Sequence, residues 1–298
     1  MATAGDRPRL FCFGLGYCAR VLAGALKADG WAVAGTCRKA EERAQLASQG
    51  IEAFLFDGGG PLETAAALAG ATHLLSSVPP GADGDPVLRR HAGDIAAVDR
   101  LEWAGYLSTT GVYGDTGGAM VDEEAPLNPT SARRRRRAEA ENGWLALYGN
   151  RGVPVHIFRL AGIYGPGRNA LDQVRSGAAK RIDAPGRRFA RVHVADIAAV
   201  LKTSMQAPRP GAVYNVCDDF PAAPADVVAY ACQLLGVDPP PLIPFAEAAK
   251  EMSLMAQSFW RDNRCIDNSR IKAELGVRLG YPDYRSGLKA ILMAEEKS

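Results

Sequence analysis

Three groups of residues in this chain have the types and spacing that chemistry requires. The first is Gly14-Leu15-Gly16-Tyr17-Cys18-Ala19, directly after the apolar run Arg9 to Phe13. Gly-x-Gly-x-x-Ala between a strand and a helix allows a tight turn at Gly14, lets a pyrophosphate approach the backbone at Gly16, and at Ala19 keeps the helix close to its sheet. Tyr17, Cys18 and Ala19 open that helix, whose first N–H groups and positive dipole end face the phosphates. The second group is Thr36-Cys37-Arg38-Lys39, where the adenosine ribose of a dinucleotide would lie. An acid about twenty residues past the turn takes a ribose diol. Arg38 is instead suited to a 2′-phosphate through a forked, charge-assisted contact, which points to NADP ahead of NAD. In the alternative reading Arg38 and Lys39 only open the helix Glu41 to Ser48 in a solvated loop. The third group is Ser108-Thr109-Thr110-Gly111-Val112-Tyr113-Gly114-Asp115. A hydroxyl such as that of Thr109 at a strand end can donate to developing oxyanion charge, or simply bond to its own loop.

The elements that must position these groups alternate. Trp31 to Thr36 reads as a second strand completing a βαβ unit of about thirty residues. Ile51 to Phe56 reads as a third strand, closed by Asp57, which suits an adenine amine or a turn before Gly58. A helix Leu62 to Leu68 leads to a fourth strand, His73 to Val78, which ends at Pro79 and Pro80. Ser77, Val78 and Pro79 thus fall beside the expected crevice. Trp103 to Thr109 is strand five, a helix covers Ala138 to Tyr148, and Val153 to Leu160 is strand six. Such alternation implies an α/β, Rossmann-like, doubly wound parallel sheet. Later segments read as a helix Ile197 to Met205, a strand Gly211 to Val216, a helix Ala225 to Leu235, and amphipathic pieces at Ala246 to Met255 and Ile271 to Leu275. They build a smaller C-terminal lobe. The expected division is residues 8–165 plus about 192–216 for the dinucleotide-binding core, and 166–191 plus 217–298 for the substrate lobe.

With 298 residues and 47% hydrophobic content the chain can bury a large core, and a net charge of +2 implies neither nucleic acid nor membrane as partner. Met1 to Pro8 are polar and lack a signal-peptide core. The six cysteines have no Cys-x-x-Cys spacing and the four histidines no ligand spacing, so no metal site is expected and the setting is a reducing cytoplasm. The run Arg133 to Arg137 reads as a solvated helix face, with Arg135 and Glu139, and Arg137 and Glu141, at i,i+4 spacing.

Together with the glycine turn, the Thr109 segment, Arg159-Leu160-Ala161-Gly162-Ile163-Tyr164-Gly165-Pro166-Gly167 and Val192-His193-Val194-Ala195-Asp196-Ile197 make the chain resemble the extended and atypical short-chain dehydrogenase/reductases, in the NAD-dependent epimerase/dehydratase group. The resemblance implies that Thr109 bonds the substrate oxygen undergoing hydride chemistry, and that His193 and Asp196 are structural. It also implies a Tyr-x-x-x-Lys pair early in the helix that carries the arginine run. That tyrosine is missing. Ser131 or Arg133 holds its position, and Arg135 or Arg137 that of the lysine, according to whether Glu139 or Glu141 matches the family's helix glutamate. Arginine can bind ribose or phosphate, but neither serine nor arginine is a phenol of tuned acidity, so Tyr113 or a water would have to serve. Arg168, Asn169, Arg187 and Arg191 are the expected substrate ligands. Two functions follow. One is an NADP-dependent oxidoreductase, epimerase or dehydratase acting on a small molecule, a sugar nucleotide or related carbonyl or hydroxyl compound. The other is a dinucleotide-binding sensor without turnover. Family members pair through helices, here about Asp94 to Gly105 and Arg133 to Tyr148, which implies a homodimer.

Overall fold

The computed structural model describes residues 7–297, so Met1 to Asp6 of the polar start lie outside the described residues, as does Ser298. The chain packs as two units. The first takes residues up to Thr109, then Ala132–Arg159 and Ala198–Tyr214. Its strands are β1 (Arg9–Phe13), β2 (Ala32–Cys37), β3 (Glu52–Leu55), β4 (His73–Ser76) and β5 (Trp103–Thr109), and its helices α1 (Tyr17–Ala28), α2 (Ala40–Ser48), α3 (Pro86–Ala96) and α4 (Ala132–Arg151). With Val155–Leu160 and Val213–Val216 the strands form one seven-stranded parallel sheet flanked by helices, in the order Val213–Val216, Val155–Leu160, β5, β4, β1, β2, β3. The register sets Leu10 of β1 beside Val33 on one side and His73 on the other.

Burial explains the central strand. Leu10, Phe11, Cys12 and Phe13 are all fully buried, as expected for a strand covered on both faces. Helix α1 lays Cys18, Ala19, Leu22, Ala23 and Leu26 inward at helical spacing. The aromatic part of this core includes Tyr106 stacked on Trp144 at 5.6 Å.

Several expected elements differ. The segment before β4 holds only a 3₁₀ turn, Ala65–Leu68, capped by Thr64, not a helix from Leu62. Helix α3 starts at Pro86, where Asp85 Oδ1 accepts the N–H groups of Val87 and Leu88, and it stops at Ala96. The expected helix Asp94 to Gly105 therefore does not exist, and Trp103 to Gly105 are strand. Proline at the first helical position and an Asp cap fix that start earlier. Helix α4 includes the arginine run, as its reading as a helix face implied, and continues past Tyr148 to Arg151, arginine being a good helix former.

The second unit takes Thr110–Ser131, Leu160–Ile197 and the chain from Asn215 on. Residues 110–131 are held there rather than with the residues up to Thr109. Met120–Val121 pairs with Cys265–Ile266, Thr130 Oγ1 donates to Asp262, and Arg264 donates to Gly114 O. The core gathers Tyr164, Leu171, Val227, Ala231, Leu288 and Ile291. Much of it rests on a C-terminal helix, Tyr284–Glu295, started by a capping box of Asp283 and Ser286. No helix among the described residues is long and apolar enough to cross a membrane.

Candidate functional site

In the first unit the strand order reverses between β1 and β4, the point where sheets of this kind bind ligands at their carboxyl ends. A cleft of about 480 Å³ opens there. Gly14 has φ +84°, and a Cβ on it would lie 2.9 Å from Ser77 Oγ. The turn is fastened to its neighbours: Gly14 N–H donates to Thr36 Oγ1, Leu15 N–H to Thr36 O, both at 2.8 Å, and Ser77 Oγ to Gly14 O at 2.6 Å. Of the expected cofactor residues, Gly14, Gly16, Tyr17, Arg38, Asp57, Ser77, Val78 and Pro79 line the cleft, while Cys18 and Ala19 are buried in the packing of α1. Asp57 also accepts from Gly59 N–H, so it shapes its turn.

Two charged cleft residues were not foreseen. Arg20, half-buried on the first turn of α1, donates through Nε to Leu15 O at 2.8 Å. Glu42 accepts from Arg38 N–H at 3.4 Å. Sequence spacing from the turn hides Glu42 because it reaches the strand end from the first turn of α2.

At the end of β5, Thr109 is half-buried and Ser108 buried. Ser108 Oγ donates to Glu141, which is 1% exposed and also accepts from Arg159 Nε at 3.1 Å and Nη2 at 2.9 Å. Glu141 is thus taken by a buried fork, and the expected i,i+4 pairing with Arg137 does not form. Arg137 turns onto Tyr106 instead, donating to its hydroxyl at 2.9 Å and to Leu107 O at 3.0 Å. Burial holds the Tyr106 phenol well above the ordinary tyrosine range, so it stays a neutral acceptor for Arg137. Arg133 and Arg135 are exposed, whereas Arg134 is 4% exposed; a run of identical residues gives no sign of which one faces inward.

Ser131 belongs to the second unit and is half-buried. Tyr113, expected as a substitute acid, is 1% exposed and gives its hydroxyl to Asn215 Oδ1 at 2.7 Å. It is a core residue there, which corrects that expectation: the aromatic body is apolar enough to bury and Asn215 satisfies the hydroxyl.

The second unit has its own pocket of about 560 Å³, lined among others by Tyr164, Arg168, Asn169, Lys180, Arg191 and Trp260. Three of the expected substrate ligands therefore meet. Arg187 does not join them; it lines a separate hollow of about 290 Å³ with Arg181 and Arg188. Asn169 is chiefly structural: its Oδ1 accepts from Asp172 N–H and its Nδ2 donates to Gly165 O. Arg191 Nη1 donates to the carbonyls of Phe189 and Ala222, and burial lowers its pKa. Nearby Asp218, whose backbone N–H donates to Arg191 O, is pushed up to about 7 by burial. The His193 ring lies 3.9 Å from that of Tyr281, tilted by 44°, and burial pulls its pKa down to about 4. Asp196 accepts from the N–H groups of Gly280 and Tyr281.

The fold is the one shared by solved NAD-dependent epimerase/dehydratases, in line with the resemblance to the extended short-chain dehydrogenase/reductases. The chain belongs to the family of the Escherichia coli protein YeeZ, to which it is 32% identical across 91% of its own length and 95% of that protein's. No protein-family model matches it. Among solved structures, a conserved protein of unknown function from Silicibacter pomeroyi is 49% identical, with a TM-score of 0.89 over 96% of this chain and 99% of that one. A protein from Methylobacillus flagellatus, named as an NAD-dependent epimerase/dehydratase, is 26% identical over 97% of this chain and 99% of that one, with a TM-score of 0.72. The dTDP-glucose 4,6-dehydratase of Bacillus anthracis, solved with NAD, shares the fold at 17% identity and a TM-score of 0.75, over 98% of this chain and 97% of that one.

Proposed function

We propose that the first-unit cleft binds a nicotinamide dinucleotide, NADP in preference to NAD, and that the chain is an oxidoreductase of epimerase/dehydratase type acting on a sugar nucleotide or related carbonyl compound. The observation that carries this is Gly16. A Cβ there would meet nothing in the protein nearer than Ser77 Oγ at 4.0 Å. The fold therefore does not demand glycine at that position, whereas a pyrophosphate lying against the backbone does. Arg20 and Arg38 share the cleft with Glu42 and Asp57, but Glu42 accepts from the Arg38 N–H and Asp57 from the Gly59 N–H, which leaves the two guanidiniums to favour a 2′-phosphate over a bare ribose diol.

The bound dinucleotide would supply the hydride. Of this chain's own residues, Thr109 donates to the substrate oxygen, and Arg168 and Arg191 hold an anionic group in the second unit's pocket. Because Glu141 is the buried helix glutamate and Glu139 is exposed, Arg133 takes the place of the family's tyrosine and Arg137 that of its lysine. No acid of tuned phenol type then stands at Arg133, and losing a positioned general acid/base costs on the order of a hundredfold to ten-thousandfold. Slow turnover follows. The six free cysteines suit a reducing cytoplasm, and a homodimer would form through α3 and α4.

Calorimetric titration tests the cofactor: NADPH binds at least about tenfold tighter than NADH, and Arg38→Ala narrows the gap. Equal affinities in the wild type overturn the NADP assignment. The burial of Tyr113 favours the second reading, a sensor without redox turnover. NADPH oxidation against keto-sugar nucleotides separates the two. Turnover that is slow in the wild type and raised by Arg133→Tyr with Arg137→Lys supports the enzyme; no turnover in either protein, with cofactor still bound, supports the sensor.

A further inference from the structure

We infer that Arg20 is the pre-set anion ligand of the first-unit cleft, the side chain that takes the 2′-phosphate of the adenosine ribose. This rests on the NADP reading above and adds to it a residue outside both the glycine turn and the strand-end basic pair.

Arg20 follows Tyr17 by three positions on α1, so the two share a helix face, and both line the cleft. Its guanidinium is held by the bond from Nε to Leu15 O. Leu15 is itself bonded through its N–H to Thr36 O, at the end of β2. One residue, Leu15, thus ties the guanidinium to the strand whose next residues are Cys37 and Arg38. Burial and then Glu42 raise the Cys37 pKa, against the lowering effects of the bond to Lys39 O, of Arg43 and, least, of Arg20, so the charge of Arg20 is felt at this corner. With Nε occupied, the two terminal nitrogens have no partner among the described residues, and a guanidinium presents them as a planar fork that matches phosphate oxygens.

Arg38 is built differently. Its side chain is exposed and makes no hydrogen bond or ion pair among the described residues; only its backbone N–H reaches Glu42. A free guanidinium must be ordered when a ligand arrives and is screened by water until then, whereas an anchored one has met most of that cost in folding. Arg20 is the stronger ligand for this reason. A phosphate monoester carries about −1.5 to −2 charges near pH 7, so it pairs strongly with the two guanidiniums even with Glu42 and Asp57 in the same cleft. A neutral diol gains nothing from Arg20.

The experiment is titration of NADPH and NADH into the full chain and its variants Arg20→Gln, Arg20→Lys and Arg38→Ala, with adenosine 2′-monophosphate and 5′-monophosphate as smaller probes. Arg20→Gln weakens NADPH about ten- to hundredfold, the loss expected for a charge-assisted fork, and leaves NADH within about threefold. Arg20→Lys falls between, because it keeps the charge but neither the fork nor the bond to Leu15 O. Arg38→Ala weakens NADPH less than Arg20→Gln does. Unchanged NADH binding also shows that the turn has survived; where Arg20→Gln does not fold, Arg20→Lys gives the reading. Equal loss of NADPH and NADH would place Arg20 on the pyrophosphate or on the turn and overturn the inference. A wild type that prefers NADPH, with the preference intact in Arg20→Gln, sinks the Arg20 assignment alone. A wild type that prefers neither dinucleotide, nor 2′- over 5′-monophosphate, sinks the NADP reading with it.

Discussion

The cleft of the first unit and the pocket of the second have similar volumes, about 480 and 560 Å³, but they are assembled in opposite ways. The cleft takes its walls from four strand ends in succession, between Gly14 and Pro79, the first two running almost directly into α1 and α2. The pocket draws on segments as far apart as Ile163 and Leu288. The first is set by local backbone chemistry, a glycine at positive φ and a helix start. The second exists only once helices and an irregular connection have packed. Mutations should therefore damage the two regions through different physics.

The largest effect is expected from acid. In the first unit Trp31, His73, Trp103 and His156 stand ring against ring at 4.6, 6.3 and 5.7 Å. Burial lowers both histidine pKa values to about 4. His156 Nε2 accepts from Arg209 N–H, so a proton placed on it would face another donor. The folded pKa lies below the unfolded value near 6.5, so the stabilisation is complete above about pH 6.5 and is lost as pH falls toward 4, by roughly 3 kcal/mol for each histidine. Asp218 in the second unit works in the other sense. Its folded pKa is raised to about 7, so its contribution is lost as pH rises from about 4 through 7. Urea unfolding between pH 8 and 4 should show falling stability below pH 6.5. A His73→Gln, His156→Gln variant should flatten that slope, and an unchanged slope would rule these two histidines out as its source.

Next is the buried fork at the end of β5. Glu141→Ala strands the Arg159 guanidinium among buried groups and should cost about 3–5 kcal/mol. Glu139→Ala, on the exposed side of α4, should stay within about 0.5 kcal/mol. Equal losses for the two would mean that the fork does not anchor α4 against β5.

The same contrast explains what the sequence made legible. The parallel sheet and most of the residues that line the cleft were readable, because Gly14, Gly16 and Ala19 act at fixed offsets and apolar strands punctuate the chain; the strand order was not, since no local pattern encodes it. Arg20 and Glu42 were overlooked since both belong to helix first turns, and the fingerprint concerns the turn and the strand end only. In α4 the pattern was ambiguous for a physical reason: five arginines carry no periodicity, so the inward face appears only once Glu141 finds Arg159. Tyr113 read as a reactive phenol from its neighbours in sequence, whereas its partner Asn215 lies 102 residues away. The C-terminal helix went unread although Tyr284, Leu288 and Ile291 have helical spacing. Much of the pocket depends on it.

The smallest effect, and the sharpest test of how the pocket is built, concerns Asn169. Sequence reading made it a ligand donor, whereas the structure buries it to 6% exposure as the cap of the short helix Ala170–Arg175. Its Oδ1 takes Asp172 N–H at 3.1 Å, and its Nδ2 reaches Asp172 Oδ2 at 2.7 Å and Gly165 O at 3.1 Å. All of these partners belong to the loop and helix that form one wall. Asn169→Ala should cost about 1 kcal/mol, the usual value of a cap. Asn169→Ser, which keeps an oxygen for Asp172 N–H, should recover most of that loss. Asn169→Asp should not, because its second oxygen would face the Asp172 carboxylate where an N–H now donates. If the residue is a cap, affinity for a sugar-nucleotide probe tracks folding stability through the three variants. Should Asn169→Ser fold like the wild type and still lose the probe tenfold, Asn169 would be a ligand contact, and this wall would be set by chemistry as local as that of the first cleft.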